Sequence, residues 1–193
     1  MDREEFIIEV YCLVDDFFRD LTKSKRLRQR GPDPALTDVE IITMQIVGEF
    51  LVMDGDKNIW EYFKLNWIHF FPDIGDRTTF VKQVGNLWYW IERLQVVIAS
   101  KLGSVSDGIH ITDGFPVPVC KFKRAHFSKV FKGDAEYGYC AAKGETYYGF
   151  KGHLVINSIG VVSHFSFAAS NIDERDVVPK NVEGISGKLL GDK

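Results

Sequence analysis

Gly103-Ser104-Val105-Ser106-Asp107-Gly108-Ile109-His110-Ile111-Thr112-Asp113 is the stretch at which the pattern of this chain changes. Upstream of Gly103, apolar residues recur at every third or fourth position, the spacing that collects side chains on one face of a helix. Downstream, β-branched and aromatic residues come in short runs, the composition of strands. The chain therefore divides into an all-helical domain over residues 1–104 and an α/β domain over residues 105–193, an α+β or α/β protein as a whole.

On the helical side, Phe6, Ile7, Val10, Leu13, Val14, Phe17, Phe18 and Leu21 predict a first helix. It ends in a basic run through Lys23, Lys25, Arg26, Arg28 and Arg30, followed by Gly31-Pro32-Asp33-Pro34, which cannot continue it. Thr37-Asp38-Val39-Glu40 has the spacing of a capping box and starts a second helix expected to reach about Met53. Asn58 to Trp67 reads as a third. A fourth starts at Asp76-Arg77-Thr78-Thr79 and ends at Gly103. On the other side, strands are expected at Ile109–Thr112, Tyr147–Asn157 and Val161–Ala168, with Asn157-Ser158-Ile159-Gly160 as the turn of an antiparallel hairpin. Asp173–Asn181 reads as a helix despite Pro179, and Lys188–Asp192 as a further strand.

The 45% hydrophobic and 26% charged residues are those of a folded globular chain. A formal net charge of −3 leaves any contact with nucleic acid to local patches rather than to the molecule as a whole. The three cysteines, Cys12, Cys120 and Cys140, have no close spacing, which fits a reducing compartment and the cytoplasm. No run is long enough for a membrane span, and the charged start, Met1 to Glu5, has no signal core.

Asp113 is expected at the end of its strand and Asp192 at the end of another, an arrangement that can bring two carboxylates to one sheet edge. Carboxylate oxygens bind hard divalent cations, and a pair of such ions can serve phosphoryl transfer. An aspartate closing a strand can equally be a turn residue, so spacing alone leaves both readings open.

Ile111-Thr112-Asp113-Gly114-Phe115-Pro116-Val117-Pro118-Val119-Cys120 resembles the Asp-Ser-x-Pro-x-Pro-Val-Cys signature of bacterial insertion-sequence DDE transposases. The likeness continues through Lys129-Val130-Phe131-Lys132-Gly133, Tyr137-Gly138-Tyr139-Cys140, Tyr147 to Leu154, Asn171-Ile172-Asp173-Glu174-Arg175 and Leu189-Leu190-Gly191-Asp192-Lys193. It covers residues 109–193 well and the helical half only vaguely. The resemblance implies an RNase H-like mixed sheet with helices, incomplete here, and a site of two aspartates and a glutamate holding two Mg²⁺ or Mn²⁺ ions. It implies cleavage and joining of DNA at transposon ends and target. Asp113 and Asp192 match the first two ligands. The glutamate comes from a helix well after the second aspartate, so no residue here is assigned to it and this chain alone is expected to be inactive. Gly114 stands where the signature has serine.

Between Gly114 and Gly133, Lys121, Lys123, Arg124, Lys129 and Lys132 are interleaved with Phe122, His126, Phe127 and Phe131, with no acidic residue. Cations neutralise phosphates and aromatics stack on bases, so the segment is a candidate DNA contact, the alternative being a solvated loop over packed rings. The basic run after the first helix is a weaker candidate, because Trp60, Tyr62, Phe63 and Trp67 of the third helix suit a core better than a recognition helix. Cys120, His126, Cys140 and His153 fit no zinc spacing. Lys151 and His153 share one face of their strand. Two other functions stay open: a non-catalytic DNA- or partner-binding fragment, and a metal-dependent nuclease drawing a third carboxylate from Asp134, Glu136 or Asp173. A homodimer is one arrangement open to the chain.

Overall fold

The computed structural model describes residues 2–28, 31–104, 106–181 and 185–191. The chain forms two compact units, Met1–Ile98 and Ala99–Lys193. It is an α+β protein: an N-terminal helical region followed by a mixed five-stranded sheet with helices.

The first unit is built from α1 (Arg3–Thr22), α2 (Asp38–Phe50), α3 (Gly55–Asn66) and α4 (Arg77–Lys101), whose last turn crosses the boundary between the units. The capping box of α2 forms: Glu40 N–H donates to Thr37 Oγ1 at 3.2 Å, and Thr37 N–H to Glu40 Oε2 at 2.6 Å. Asp2 and Glu5 make a second box at the start of α1. Each box satisfies amides that the first helical turn leaves free. The apolar stripes meet in one core centred on Ile41, Ile42, Met44, Ile59 and Phe63, all fully buried. Gly48 lets α3 approach α2, since a Cβ there would lie 2.6 Å from Ile59 Cγ1. Phe63 and Trp67 are buried, and Trp60 and Tyr62 pack against the same core.

In the basic run, Arg28 pairs with Asp38 at 2.7 Å and Arg26 with Asp33 at 2.9 Å. Gln83 Nε2 donates to Asp38 as well, at 3.0 Å. These cations are thus partly neutralised within their own unit; Arg30 lies outside the described residues.

The second unit contains β1 (Ile109–Lys121), α5 (Phe122–Ala125), β2 (Glu136–Cys140), β3 (Glu145–Asn157), β4 (Val162–Ala169), α6 (Glu174–Asn181) and β5 (Lys188–Gly191). β3 is the spine. β1 runs antiparallel along one side of it, while β2 and β4 pair in succession along the other. β5 lies parallel to the outer side of β1, giving the order β2-β3-β1-β5 with β4 also on β3. The hairpin between β3 and β4 forms at the expected turn. Asn157 Oδ1 accepts the Val161 amide at 2.8 Å, and Gly160 takes φ 86°, a conformation open to glycine.

β1 does not end before Asp113 as the sequence suggests, but continues to Lys121. The two prolines are tolerated because of strand parity. Lys188 N–H donates to Gly108 O, so the even-numbered residues of β1 turn their backbone groups towards β5. Pro116 and Pro118 share that parity and lie beyond Thr112, the last residue paired with β5 among those described, so their missing N–H groups cost no ladder bond. No helix among the described residues is long and apolar enough to cross a membrane.

Candidate functional site

Asp113 stands inside β1, opposite Leu154 of β3, and its Oδ1 accepts the Gly114 amide at 2.8 Å. Its neighbour Thr112 pairs with Gly191 of β5. Thr112, Asp113 and Gly191 share a cleft of about 940 Å³ with Lys151 and His153 of β3 and with Asp173 and Glu174 at the start of α6. Asp192, the other expected ligand, lies outside the described residues.

Of the carboxylates considered as third ligands, Asp173 lines this cleft; Asp134 and Glu136 do not. Glu174 is a carboxylate that sequence reasoning missed. It is held by Lys151 at 3.2 Å, and its Oε1 lies 2.8 Å from where a Cβ on Gly114 would stand. A larger residue at 114 would have to shift the Glu174 carboxylate, the free end of a flexible and half-exposed side chain. The ion pair is half exposed on the Glu174 side, so its role is positional more than stabilising.

Sharing the cleft with Asp113 are the carboxylates of Asp173 and Glu174, whose oxygens suit hard divalent cations, and the imidazole of His153. Among the described residues, no three His, Cys, Asp or Glu side chains are grouped closely enough to hold an ion. Cys120, His126, Cys140 and His153 accordingly do not form a centre, and all three cysteines are free thiols.

Lys151 and His153 both reach the cleft, as their shared strand face requires. His153 is only 2% exposed, and its Nε2 has no hydrogen-bond partner. Burial pushes the imidazole below its ordinary value of 6.5, opposed by Glu174 and aided by Lys151. It is therefore neutral in the folded chain at pH 7. A histidine whose folded value is depressed binds more protons unfolded than folded below pH 6.5, so stability falls as pH drops through that range. The expected result is a melting temperature that declines from pH 7.5 to pH 5.5, with a shallower decline in His153→Gln. Equal declines in the two proteins would show that His153 is not the group responsible. Asp107, whose carboxylate accepts the Ser158 amide at 2.8 Å, is held below the usual carboxylate range mainly by its Ser158 hydrogen bonds and titrates in a separate, more acid window.

The basic segment begins at Lys121, the last residue of β1, and continues through the one-turn helix α5, anchored by Ala125, which packs with Ala135 and Tyr148. Lys121, Lys123, Arg124, Lys129 and Lys132 are all exposed, and among the described residues none forms an ion pair.

No curated protein and no solved structure matches the chain. Residues 103–193 match a family model, that of the transposase DDE domain. The match spans nearly the whole of the second unit, in which β1 and β5 lie side by side with Asp113 at the end of their ladder. Over residues 103–193, then, this chain is similar to the transposase DDE domain.

Proposed function

We propose that this chain takes part in DNA transposition as an insertion-sequence transposase, acting on transposon ends and target DNA in the bacterial cytoplasm. The observation that carries the reading is the parallel register of β1 and β5, in which Thr112 faces Gly191. Asp113 follows Thr112 in the sequence, and Asp192, outside the described residues, follows Gly191. Asp113 and Asp192 would then hold Mg²⁺ or Mn²⁺ together. A divalent ion bound there supplies charge neutralisation on the phosphodiester and activation of the attacking oxygen. The chain's own part would be to present Asp113 from β1, with Lys151 keeping Glu174 against Gly114 beside it.

The test is a Mn²⁺ titration followed by electron paramagnetic resonance on the unmodified chain, Asp113→Ala and Asp192→Ala. Binding in the unmodified chain and its loss in both variants is expected. Undiminished binding in either variant would remove that aspartate from the site.

DNA contact through Lys121, Lys123, Arg124, Lys129 and Lys132 is the second element of the proposal, supported by their exposure and lack of ion-pair partners among the described residues. Each phosphate contact on duplex DNA releases counterions worth about 0.9 in the slope of log affinity against log salt. Replacing Lys121, Lys123 and Arg124 together by alanine is expected to weaken duplex binding and flatten the slope by about 2.7. An unchanged slope would make this segment a solvated surface.

A further inference from the structure

Three of the five basic residues, Lys121, Lys123 and Arg124, do not simply lie on the surface. They line a cleft of about 890 Å³ with Phe122, Lys143 and Tyr147. Lys143 comes from the turn between β2 and β3, far from the others in sequence, so the fold itself concentrates the charge. Among the described residues none of the four cations has an ion-pair partner, and Glu145 is the one carboxylate on the wall. Four cations held together unneutralised repel one another, and an anionic ligand relieves that repulsion.

The aromatic residues narrow the choice of anion. Phe122 is 56% exposed, steadied by an edge contact with Tyr137 at 5.7 Å, while Tyr147 is buried in the floor. A large apolar ring left in water between cations suits a flat apolar face accompanied by phosphate. In duplex DNA the base faces are stacked on one another and only edges and phosphates are presented. An unpaired nucleotide presents both a free face and a phosphate. The wall also includes Pro116, three residues along β1 from Asp113 and about 10 Å away at the usual strand rise. A DNA end placed at Asp113 would thus have neighbouring nucleotides within reach.

We infer that this cleft binds an unpaired nucleotide of single-stranded DNA, its base stacked on Phe122 and its phosphates held by Lys121, Lys123, Arg124 and Lys143. The inference rests on the proposed DNA function and adds to it a preference for unpaired over duplex DNA. A blunt duplex is compared with the same duplex carrying a short single-stranded tail that contains 2-aminopurine. The tail tightens binding by about five- to 150-fold, the range for stacking one base on an aromatic side chain. The 2-aminopurine fluorescence is quenched on binding. Phe122→Ala removes the advantage of the tail and the quenching while leaving blunt-duplex affinity unchanged. Phe122→Trp restores both, and Lys143→Ala weakens the tailed duplex more than the blunt one. Equal affinity for the two DNAs, with Phe122→Ala changing neither, overturns the cleft assignment and leaves the DNA function standing. Binding of neither DNA overturns both.

Discussion

Gly149→Ala is expected to destabilise the second unit strongly. Gly149 sits near the middle of β3, paired with Pro118 of β1 on one side and with Glu136 of β2 on the other. A Cβ there would lie 2.3 Å from Val117 O, 2.8 Å from Val119 N and 3.0 Å from Pro118 Cα. All three are backbone atoms, so no side-chain rotation relieves the clash. The register of β1 against β3 shifts between Pro118 and Cys120, which is how the two backbones come so close at this point. Forcing a methyl group between them costs about 3 kcal/mol, the upper end of the overpacking range. For a unit of this size that lowers the melting temperature by about 12–24 °C. The contrast is Gly85→Ala, on the exposed face of α4 with nothing within 4 Å of the added Cβ, where the better helix former stabilises by up to about 1 kcal/mol. The measurement is thermal unfolding of each variant; a Gly149→Ala protein that melts with the parent would show that β1 and β3 can separate there freely. The functional consequence follows from the same ladder, because β1 carries Asp113 and β3 carries Lys151 and His153.

The parts of this fold that could be read in the sequence are those decided locally. The period of α1 and the reciprocal Thr37–Glu40 cap of α2 each depend on residues within a few positions of one another, and both form. The hairpin at Asn157–Gly160 is likewise local, held by the Asn157 side chain. β1 runs on to Lys121, past the Thr112 expected from the sequence, and only the position of β5 shows that the nitrogens of Pro116 and Pro118 face an edge. β2 gave little local signal, being five residues long with Gly138 at its centre. That glycine is required from a distance: a Cβ there would lie 2.5 Å from the Ser170 side chain. The candidate site divides in the same way. Asp113 could be singled out from its own strand and its neighbours, and the shared face of Lys151 and His153 follows from alternation. Glu174 could not be singled out, because its carboxylate reaches Gly114 only after β3, β4 and α6 have folded back over β1. Lys143 joins Lys121 and Arg124 by the same kind of return.

A polypeptide of residues 1–193, given DNA carrying its element's own terminal repeat and Mn²⁺, is expected to form no joined product. Asp113 and Asp192 would supply two of the three carboxylates that the resemblance implies. Two close carboxylates repel when both are ionised, and a divalent ion relieves that repulsion, so weak metal binding by the pair is compatible with the absence of turnover. With two protein ligands, the remaining coordination falls to water, which does not fix the direction of the attacking and leaving oxygens. A misplacement of about 1 Å already costs on the order of a hundredfold in rate, and losing a ligand costs more. The assay follows cleavage and joining separately, beside Asp113→Ala, with Mn²⁺ binding measured on both proteins. Joined product from the unmodified polypeptide but not from Asp113→Ala would sink the argument and require a third carboxylate within these residues. Glu174 would then be the first to test, because it lines the same cleft and approaches the backbone next to Asp113. Glu174→Gln would abolish joining if it is that ligand. If Glu174 only positions Lys151, joining would persist at a reduced rate with Mn²⁺ affinity unchanged.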